Sequence, residues 1–312
     1  MLPQDCQAEL GPPSASPCGY DRRSRRLRHC CEAASAPSPR TAALSEDCGR
    51  GGPRITGRNL FFNIANGRPA ERSTWPWVAL LGTRQHTNGT VDWACGGTLI
   101  GPRHVLTAAH CVHIDLERMV VRLGEHDRTT SEDGEHQDRA VRRAARHPDR
   151  NRSRNDLALL ELDRPVQLGA GVQPICLPDP AETLVGRIGW VVGWGVLRFH
   201  DRTAANVLQE AIASVEPADE CEEIFRQTPQ YSFRFPGGFG GNVLCATDPH
   251  HRGMDACQGD SGGPLAIQRP DGRYQLAGLV LAGVSCGNSD FPGLYTRVAS
   301  YIDWIRSEVA RS

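Results

Sequence analysis

At 312 residues with 39% hydrophobic content, the chain is long enough for one large domain or two smaller ones with a sizeable core. The formal net charge of −1 excludes a global attraction for nucleic acid or anionic lipid, and no apolar run approaches the roughly 18 residues of a membrane span. Twelve cysteines indicate an oxidising compartment, so we expect a secreted, extracellular protein.

The first 53 residues differ in composition from the rest of the chain, because they are rich in Pro, Ser, Ala and Arg and poor in aromatic residues. They contain five cysteines: Cys6, Cys18, Cys30, Cys31 and Cys48. This composition predicts a small cysteine-tied module or a partly disordered arm. The basic run from Arg22 to His29 is either a solvated surface or a docking site for an acidic partner or a polysaccharide. Met1 begins no apolar stretch, so no signal peptide is visible, and we expect an incomplete N-terminus.

From Trp75 onward, short apolar segments recur between Gly, Pro and Asn residues, among them WVALLG, LALLEL and QLAGLVLAG. Short strands with this regular punctuation predict an all-β barrel or sandwich. The C-terminal stretch YIDWIRSEVA is different, because Ile302, Ile305 and Val309 recur at helical spacing. This spacing predicts a closing amphipathic helix.

Three separate strings carry the residue types that a serine nucleophile requires. LTAAHC contains His110, RNDLALLEL places Asp156 just before an apolar strand, and DACQGDSGGPL places Ser261 in a glycine-rich turn. A serine hydroxyl needs a histidine to accept its proton and a buried carboxylate to orient the imidazole. The backbone amides of Gly259 and Ser261 are candidate oxyanion donors, because glycine permits the tight turn that points both amides inward.

The order and wording of these strings resemble the chymotrypsin-like (S1) serine endopeptidases, from Ile64 to Ile305. The resemblance implies two six-stranded antiparallel barrels with a C-terminal helix, preceded by a small cysteine-rich pro-region. It also implies an acyl-enzyme route with His110 as general base, Asp156 as its orienting partner and Ser261 as nucleophile. We divide the chain into a pro-region at 1–47, a linker and activation segment at 48–63, and a protease domain at 64–312.

The adjacent cysteines of HCC, at the end of the pro-region, resemble the end of a clip domain, a six-cysteine module that precedes many arthropod proteases of this kind. Two of the six cysteines are absent here, and an unrelated cysteine-rich tail remains the alternative. The family resemblance also pairs eight further cysteines: Cys48 with Cys176, Cys95 with Cys111, Cys221 with Cys245, and Cys257 with Cys286.

Asp255 lies six residues before Ser261 and matches the floor of the family's primary pocket, with a surface aspartate as the alternative. A carboxylate at the bottom of a desolvated slot favours a long cationic side chain, which predicts cleavage after arginine or lysine. Gly283 and Gly293 match the small residues of the pocket walls. The family usually has a serine and a large aromatic residue where this chain has Leu281 and Ala282. These departures put the full catalytic rate and the extended-substrate preference in question.

Glu125 and Glu135 are ten residues apart, a spacing that closes a calcium loop in the family. Asp127 and Thr130 lie between them and complete the candidate ligand set. Calcium takes six to eight oxygen ligands, so this mixture is chemically suitable, and a solvated acidic loop without metal is the alternative. Two N-glycosylation sequons are also present, at Asn88 and Asn151.

In the family, cleavage releases a new N-terminus whose ammonium folds inward and pairs with the aspartate before the nucleophile. The register of IANG and WPW makes Ile64 the expected mature N-terminus and Asp260 its partner. The residue before this bond is Asn63, whereas the nearest trypsin-type bond joins Arg54 to Ile55. Three alternatives stay open: an asparagine-specific activator, cleavage at Arg54 followed by trimming, or an extra insertion from Ile55 to Asn63.

We therefore expect a trypsin-like endopeptidase zymogen of an extracellular cascade, with no cofactor required for catalysis and no nucleic-acid partner. Its partners would be protein substrates with Arg or Lys at the cleaved bond, an upstream activating protease and serpin-type inhibitors. One alternative is a non-catalytic or locked homologue that binds partners or acts as a cofactor protein. A carbohydrate- or surface-binding module centred on the basic arm is the third class.

Overall fold

The computed structural model describes residues 13–21, 26–31, 47–53, 67–87, 89–130, 136–196, 203–249, 259–281 and 291–312. The chain divides into two compact units, residues 1–42 and 43–312. In the first unit, β1 (Pro13–Asp21) pairs antiparallel with β2 (Arg26–Cys31). The clip-like assignment and the division at residues 47 and 63 remain predictions.

The first half of the second unit is a closed antiparallel barrel of six strands. Its strands and the short strand that precedes them are β3 (Arg68–Pro69), β4 (Val78–Arg84), β5 (Val91–Gly101), β6 (His104–Thr107), β7 (Met119–Leu123), β8 (Gln137–Arg146) and β9 (Ala158–Leu162). The barrel order is β4, β5, β6, β9, β8, β7. The strands β6 and β9 are buried along their whole lengths, including the polar residues His104, Thr107 and Glu161.

The second half contains the other barrel and three helices. These elements are β10 (Ile188–Gly193), β11 (Gln209–Glu216), α1 (Ala218–Arg226), α2 (Tyr231–Arg234), β12 (Val243–Thr247), β13 (Pro264–Gln268), β14 (Tyr274–Val280), β15 (Gly293–Arg297) and α3 (Ile302–Ala310). Pairing of β10 with β11 closes the strand order β10, β13, β14, β15, β12, β11, and β3 adds to the edge of β11. The predicted fold class, two six-stranded barrels with a C-terminal helix, is confirmed.

The helix α3 packs its apolar face on the protein core, because Ile302, Ile305 and Val309 are all buried. Full burial of one such side chain contributes about 1.5–3 kcal/mol. Glu308 on the same helix accepts a hydrogen bond from Arg143 Nη1 of β8 at 2.9 Å. The helix is therefore held to the first barrel both by apolar burial and by a charged hydrogen bond.

An aromatic cluster joins the two barrels. The rings of Trp75 and Trp77, which precede β4, lie 5.5 and 5.7 Å from the ring of Tyr274 on β14. The ring of Trp190 on β10 lies 5.7 Å from that of Trp75 and is tilted from it by 49°. The indole Nε1 of Trp75 donates to the buried carboxylate of Glu210 at 2.6 Å, which fixes the orientation of the cluster.

Three disulfides are present among the described residues: Cys48–Cys176, Cys95–Cys111 and Cys221–Cys245. The first joins the segment 47–53 to the barrels, 128 positions apart in sequence. The predicted pair of Cys257 and Cys286 lies outside the described residues. Among the helices in the described part of the chain, none has the length and apolar character that crossing a bilayer requires.

Candidate active site

The antiparallel pairing of β6 with β9 brings His110 and Asp156 together. Thr107, at the end of β6, pairs with Ala158, at the start of β9. His110 follows β6 in a short 3₁₀ turn, and Asp156 precedes β9, so both residues project from the same end of the first barrel. A contact between residues 46 positions apart in sequence follows from strand register alone.

The His110 side chain and backbone both bind the Asp156 carboxylate. His110 Nδ1 donates to Asp156 Oδ2 at 2.5 Å, and the His110 backbone amide donates to Oδ1 at 2.9 Å. Because the ionised carboxylate can only accept, Nδ1 carries the proton and Nε2 is left as an acceptor. This is the tautomer that a general base needs to receive a proton at Nε2.

The electrostatic surroundings keep Asp156 ionised. Burial of this carboxyl group raises its pKa, but the hydrogen bond and charge of His110 and the charge of Arg150 outweigh burial, so the net pKa is lowered. Arg150 Nε donates to Asp156 Oδ1 at 3.1 Å. Thr296 of β15 donates to the Asp156 carbonyl at 3.3 Å, so the second barrel also holds this residue.

The turn that carries Ser261 packs against the segment that carries His110. The amide of Gly96 donates to the Ser261 carbonyl at 2.9 Å, and Cys111 Sγ lies 3.4 Å from the same oxygen. Gly262 has a φ of +79°, and a Cβ there would lie 2.7 Å from the Ala108 amide nitrogen. Only glycine fits this close approach, which places Ser261 beside the His110 turn.

The carboxylate of Asp260 lies in a cradle formed by two glycines of β10 and its extension. The amide of Gly195 donates to Asp260 Oδ1 at 2.7 Å. A Cβ at Gly193 or at Gly195 would overlap the Asp260 carboxylate oxygens. The Gly263 amide donates to the Asp260 carbonyl at 2.8 Å, which closes the turn around Ser261. The predicted partner of Asp260, Ile64, lies outside the described residues.

Two of the three predicted residues of the specificity pocket, Asp255 and Gly283, lie outside the described residues, as does Ala282 of the more distant subsite. Gly293 is buried and begins β15, where it pairs with Ala246 of β12. Gly259, at the start of the Ser261 turn, has a φ of +101°, a conformation that favours glycine. The pocket and the oxyanion donors therefore remain predictions.

Leu281 is buried and its side chain packs in a cluster with Phe225 and Phe239. Its backbone amide donates to the Leu294 carbonyl at 2.9 Å. An isobutyl side chain offers no hydrogen-bond donor, so Leu281 cannot supply the hydroxyl that the resemblance associates with this position. The donors that Asp156 receives come from other residues.

The described part of the candidate calcium loop is balanced by an arginine. Glu125 is buried; its Oε2 accepts from Arg122 Nη1 at 3.1 Å and its Oε1 from the His126 amide at 2.9 Å. Arg122 also binds Asp138. A guanidinium this close to the oxygen that would bind the ion repels a divalent cation, so the described ligands do not favour a metal.

The remaining candidate ligands give no positive sign of a site either. The carboxylate of Asp127 accepts from the amide and hydroxyl of Thr129, while the Thr130 amide donates to the Asp127 carbonyl at 3.1 Å. Glu135 lies outside the described residues, and the calcium site stays a prediction. Of the two sequons, Asn151 is exposed on the loop that precedes Asp156, and Asn88 lies outside the described residues.

Sequence reasoning missed three groups that shape this site. Arg150 sits in an arginine-rich loop, where no pattern marks it as a partner of Asp156. Glu210 on β11 accepts from Arg68 Nε at 2.7 Å and so holds β3 at the edge of β11. The Asp260 cradle could have been predicted from the sequence. Two glycines at the end of a strand, Gly193 and Gly195, indicate a position where another group approaches the backbone closely.

Comparison with known proteins shows the family. The family model described as Trypsin matches residues 64–305, well over half of the chain. Phenoloxidase-activating factor 1 of Holotrichia diomphalia is 33% identical over 328 residues, covering 95% of this chain and 83% of its own length. Inactive CLIP domain-containing serine protease A28 of Anopheles gambiae is 33% identical over 312 residues, covering 93% of this chain and 79% of its own.

Serine protease filzig of Drosophila melanogaster is 36% identical over 276 residues and 87% of this chain, and Serine protease Hayan of the same species is 36% identical over 262 residues and 82%. This chain spans only 16% and 40% of the lengths of these two relatives. The matched family region includes both barrels and all three residues His110, Asp156 and Ser261. The chain belongs to the trypsin family of serine proteases.

Proposed function

We propose that this chain is a secreted serine endopeptidase zymogen that cleaves peptide bonds after arginine or lysine. The observation that carries the proposal is the pair of hydrogen bonds between His110 and the buried carboxylate of Asp156. Support also comes from the packing of the Ser261 turn against the segment that leads into His110.

In this proposal, Ser261 Oγ attacks the carbonyl carbon of the scissile bond while His110 Nε2 accepts the hydroxyl proton. Asp156 stabilises the imidazolium and holds its tautomer. His110 then gives the proton to the leaving amine, and an acyl-enzyme on Ser261 remains. Water activated by the same imidazole releases the second product. The amides of Gly259 and Ser261 stabilise the oxyanion in both steps.

The substrate preference rests on Asp255. A carboxylate at the floor of the pocket stabilises a desolvated guanidinium or ammonium by a charged hydrogen bond and disfavours neutral and acidic side chains. The proposed partners are accordingly protein substrates with Arg or Lys at the cleaved bond. The other proposed partners are an upstream activating protease and serpin-type inhibitors.

Activation is proposed to release Ile64, whose ammonium pairs with Asp260 in the cradle of Gly193 and Gly195. The disulfide between Cys48 and Cys176 would keep the pro-region attached after cleavage. A hydrogen bond also holds the segment 47–53 that carries Cys48, because the Tyr274 hydroxyl donates to the Pro53 carbonyl at 2.6 Å. One relative is named phenoloxidase-activating factor 1, and a factor that activates another enzyme fits the proposed place of this chain in a cascade.

A non-catalytic or locked homologue is the second candidate, and two observations favour it. Leu281 contributes no donor to the Asp156 carboxylate, and a relative that covers 93% of this chain is named as an inactive protease. Against this candidate stand the preserved histidine, aspartate and serine and their arrangement.

Labelling with a fluorophosphonate, which captures an activated serine, separates the two candidates. The full chain is treated with a trypsin-like activator and with an asparagine-specific protease, and the new N-termini are sequenced. We expect labelling only where Ile64 is exposed, none in Ser261→Ala, and turnover of arginyl but not phenylalanyl peptides. A chain with Ile64 exposed that neither labels nor hydrolyses would establish the non-catalytic homologue instead.

A further inference from the structure

The Asp156 carboxylate is almost fully buried and receives only three hydrogen bonds among the described residues. Oδ2 accepts from His110 Nδ1, and Oδ1 accepts from the His110 amide and from Arg150 Nε. Two of the three donors therefore belong to His110 itself. Arg150 is the one side-chain donor among them besides the imidazole, and it alone of these donors is permanently charged.

The loop that carries Arg150 is itself held firmly. The Arg150 amide donates to the His147 carbonyl at 3.1 Å, and Asn155 Nδ2 donates to the Asp149 carbonyl at 2.8 Å. Asn155 also accepts from the Tyr301 hydroxyl at 2.8 Å. The guanidinium thus approaches Asp156 from an ordered turn, although about a third of its side chain is exposed to solvent.

We infer that Arg150 is a positioning residue, which holds the Asp156 carboxylate toward His110 and partly offsets the negative charge of that carboxylate. It supplies the donor that the Leu281 side chain lacks. This role rests on the proposed function. It adds Arg150 to the residues that support catalysis, although no sequence pattern in its arginine-rich loop indicates this. Arg150 acts through Asp156 and does not reach the reacting atoms.

The charge of Arg150 has two consequences for ionisation. It helps to keep Asp156 ionised, so removing it raises the pKa of Asp156. It also offsets part of the negative charge that would stabilise an imidazolium on His110. Loss of the Arg150 charge is therefore expected to move the acid limb of the pH–rate profile to higher pH.

Other ionisable groups near the pair do not mimic this effect. Among the described residues, Tyr301 faces Asp156 from the turn before α3. Burial, opposed by the charge of Arg154 and reinforced by that of Asp156, raises the pKa of Tyr301 to about 12. The phenol is neutral throughout the acid range. His147, whose ring lies 5.3 Å from that of Tyr301, has a pKa that burial lowers. The charges that lower the pKa of Asp156 are those of His110 and Arg150.

The test compares Arg150→Gln, which keeps a donor but removes the charge, with Arg150→Lys, which keeps the charge. Arg152→Gln is the matched control, because Arg152 lies on the same loop but donates to the Phe233 carbonyl at 2.7 Å and stacks on the Phe233 ring. The first readout is the ¹³Cγ titration of Asp156 by NMR, which needs no turnover. The second is the pH profile of fluorophosphonate labelling of the processed chain.

In Arg150→Gln we expect both the Asp156 titration and the acid limb of labelling to move up by about 0.5–1 pH unit. The Lys variant should stay close to wild type in both midpoints while labelling a few-fold more slowly, because it loses the Nε geometry. An Arg150→Gln protein with both midpoints equal to those of Arg152→Gln would overturn the inference. Absence of labelling in wild type would refute the proposed function alone, since the Asp156 titration still reports on Arg150.

Discussion

The Asp260 cradle allows one perturbation to be worked through in detail, the substitution Gly193→Ala. A Cβ at Gly193 would overlap Asp260 Oδ1 and lie 3.1 Å from its Cγ. Ordinary carbon contacts are about 3.5–4 Å, so the carboxylate must retreat by roughly 1 Å. That retreat breaks the hydrogen bond from the Gly195 amide, which measures 2.7 Å. The turn that continues from Asp260 into Ser261 must move with it.

Two magnitudes follow from this displacement. Loss of one hydrogen bond to a charged group destabilises the protein by about 1.5–3 kcal/mol, which for a domain of this size lowers the Tm by roughly 3–12 °C. A misplacement of about 1 Å in the reaction centre lowers the rate by about 100-fold. The stability effect applies to the chain whether or not it is a protease, and the rate effect applies to the processed enzyme.

The assay measures urea unfolding and the labelling rate side by side, with Gly169→Ala as the control. Gly169 has no neighbouring atom within 4 Å of an added Cβ, so its substitution reports the effect of the methyl group on the unfolded chain alone. We expect Gly193→Ala to lose both stability and labelling relative to this control. Equal stability and a labelling rate within two-fold of the control would refute the proposed role of the cradle.

Two further predictions concern buried carboxylates. In Glu210→Gln, the amide group must face either the Trp75 indole or Arg68, and leaving the buried indole N–H unpaired costs about 1–3 kcal/mol of unfolding free energy. Calorimetry should show a lower Tm than in the exposed control Glu71→Gln, and equal values would contradict this assignment. For Asp156, whose folded pKa is below the ordinary value of 3.8, the stability contribution is complete above 3.8 and is lost as pH falls through the folded pKa. The difference in unfolding free energy between wild type and Asp156→Asn should therefore shrink below pH 4, and a constant difference would argue against a lowered pKa.

The Asp156 surroundings also show how one buried carboxylate can be satisfied in more than one way. What the carboxylate requires is a set of donors within reach, since a buried acceptor without partners is costly. Leu281 packs in an apolar cluster with Phe225 and Phe239, and Arg150 donates to the carboxylate from the loop that precedes Asp156. The resemblance therefore located a departure at Leu281 without showing what replaced the missing hydroxyl.

The sequence by itself predicted an all-β barrel or sandwich, the three motifs that carry His110, Asp156 and Ser261, and the closing helix, because these are local patterns, whereas the two-barrel fold class came from the resemblance to the S1 family. Strand length, turn residues and helical spacing are short-range properties of the chain. Cysteine positions that match the family likewise indicated the three bonds of Cys48, Cys95 and Cys221. The clip-like region, the activation bond and the pocket residues remain predictions on this basis.

Only the tertiary structure decided which side chains meet in the interior. Glu210 and Trp75 are 135 positions apart, and Asp260 and Gly195 are 65 apart, so no local pattern pairs them. Arg150 is only six positions from Asp156, but its direction depends on a turn in which Asn155 adopts a φ of +52°. Long side chains have many rotamers, and packing and hydrogen bonds from distant strands select one of them.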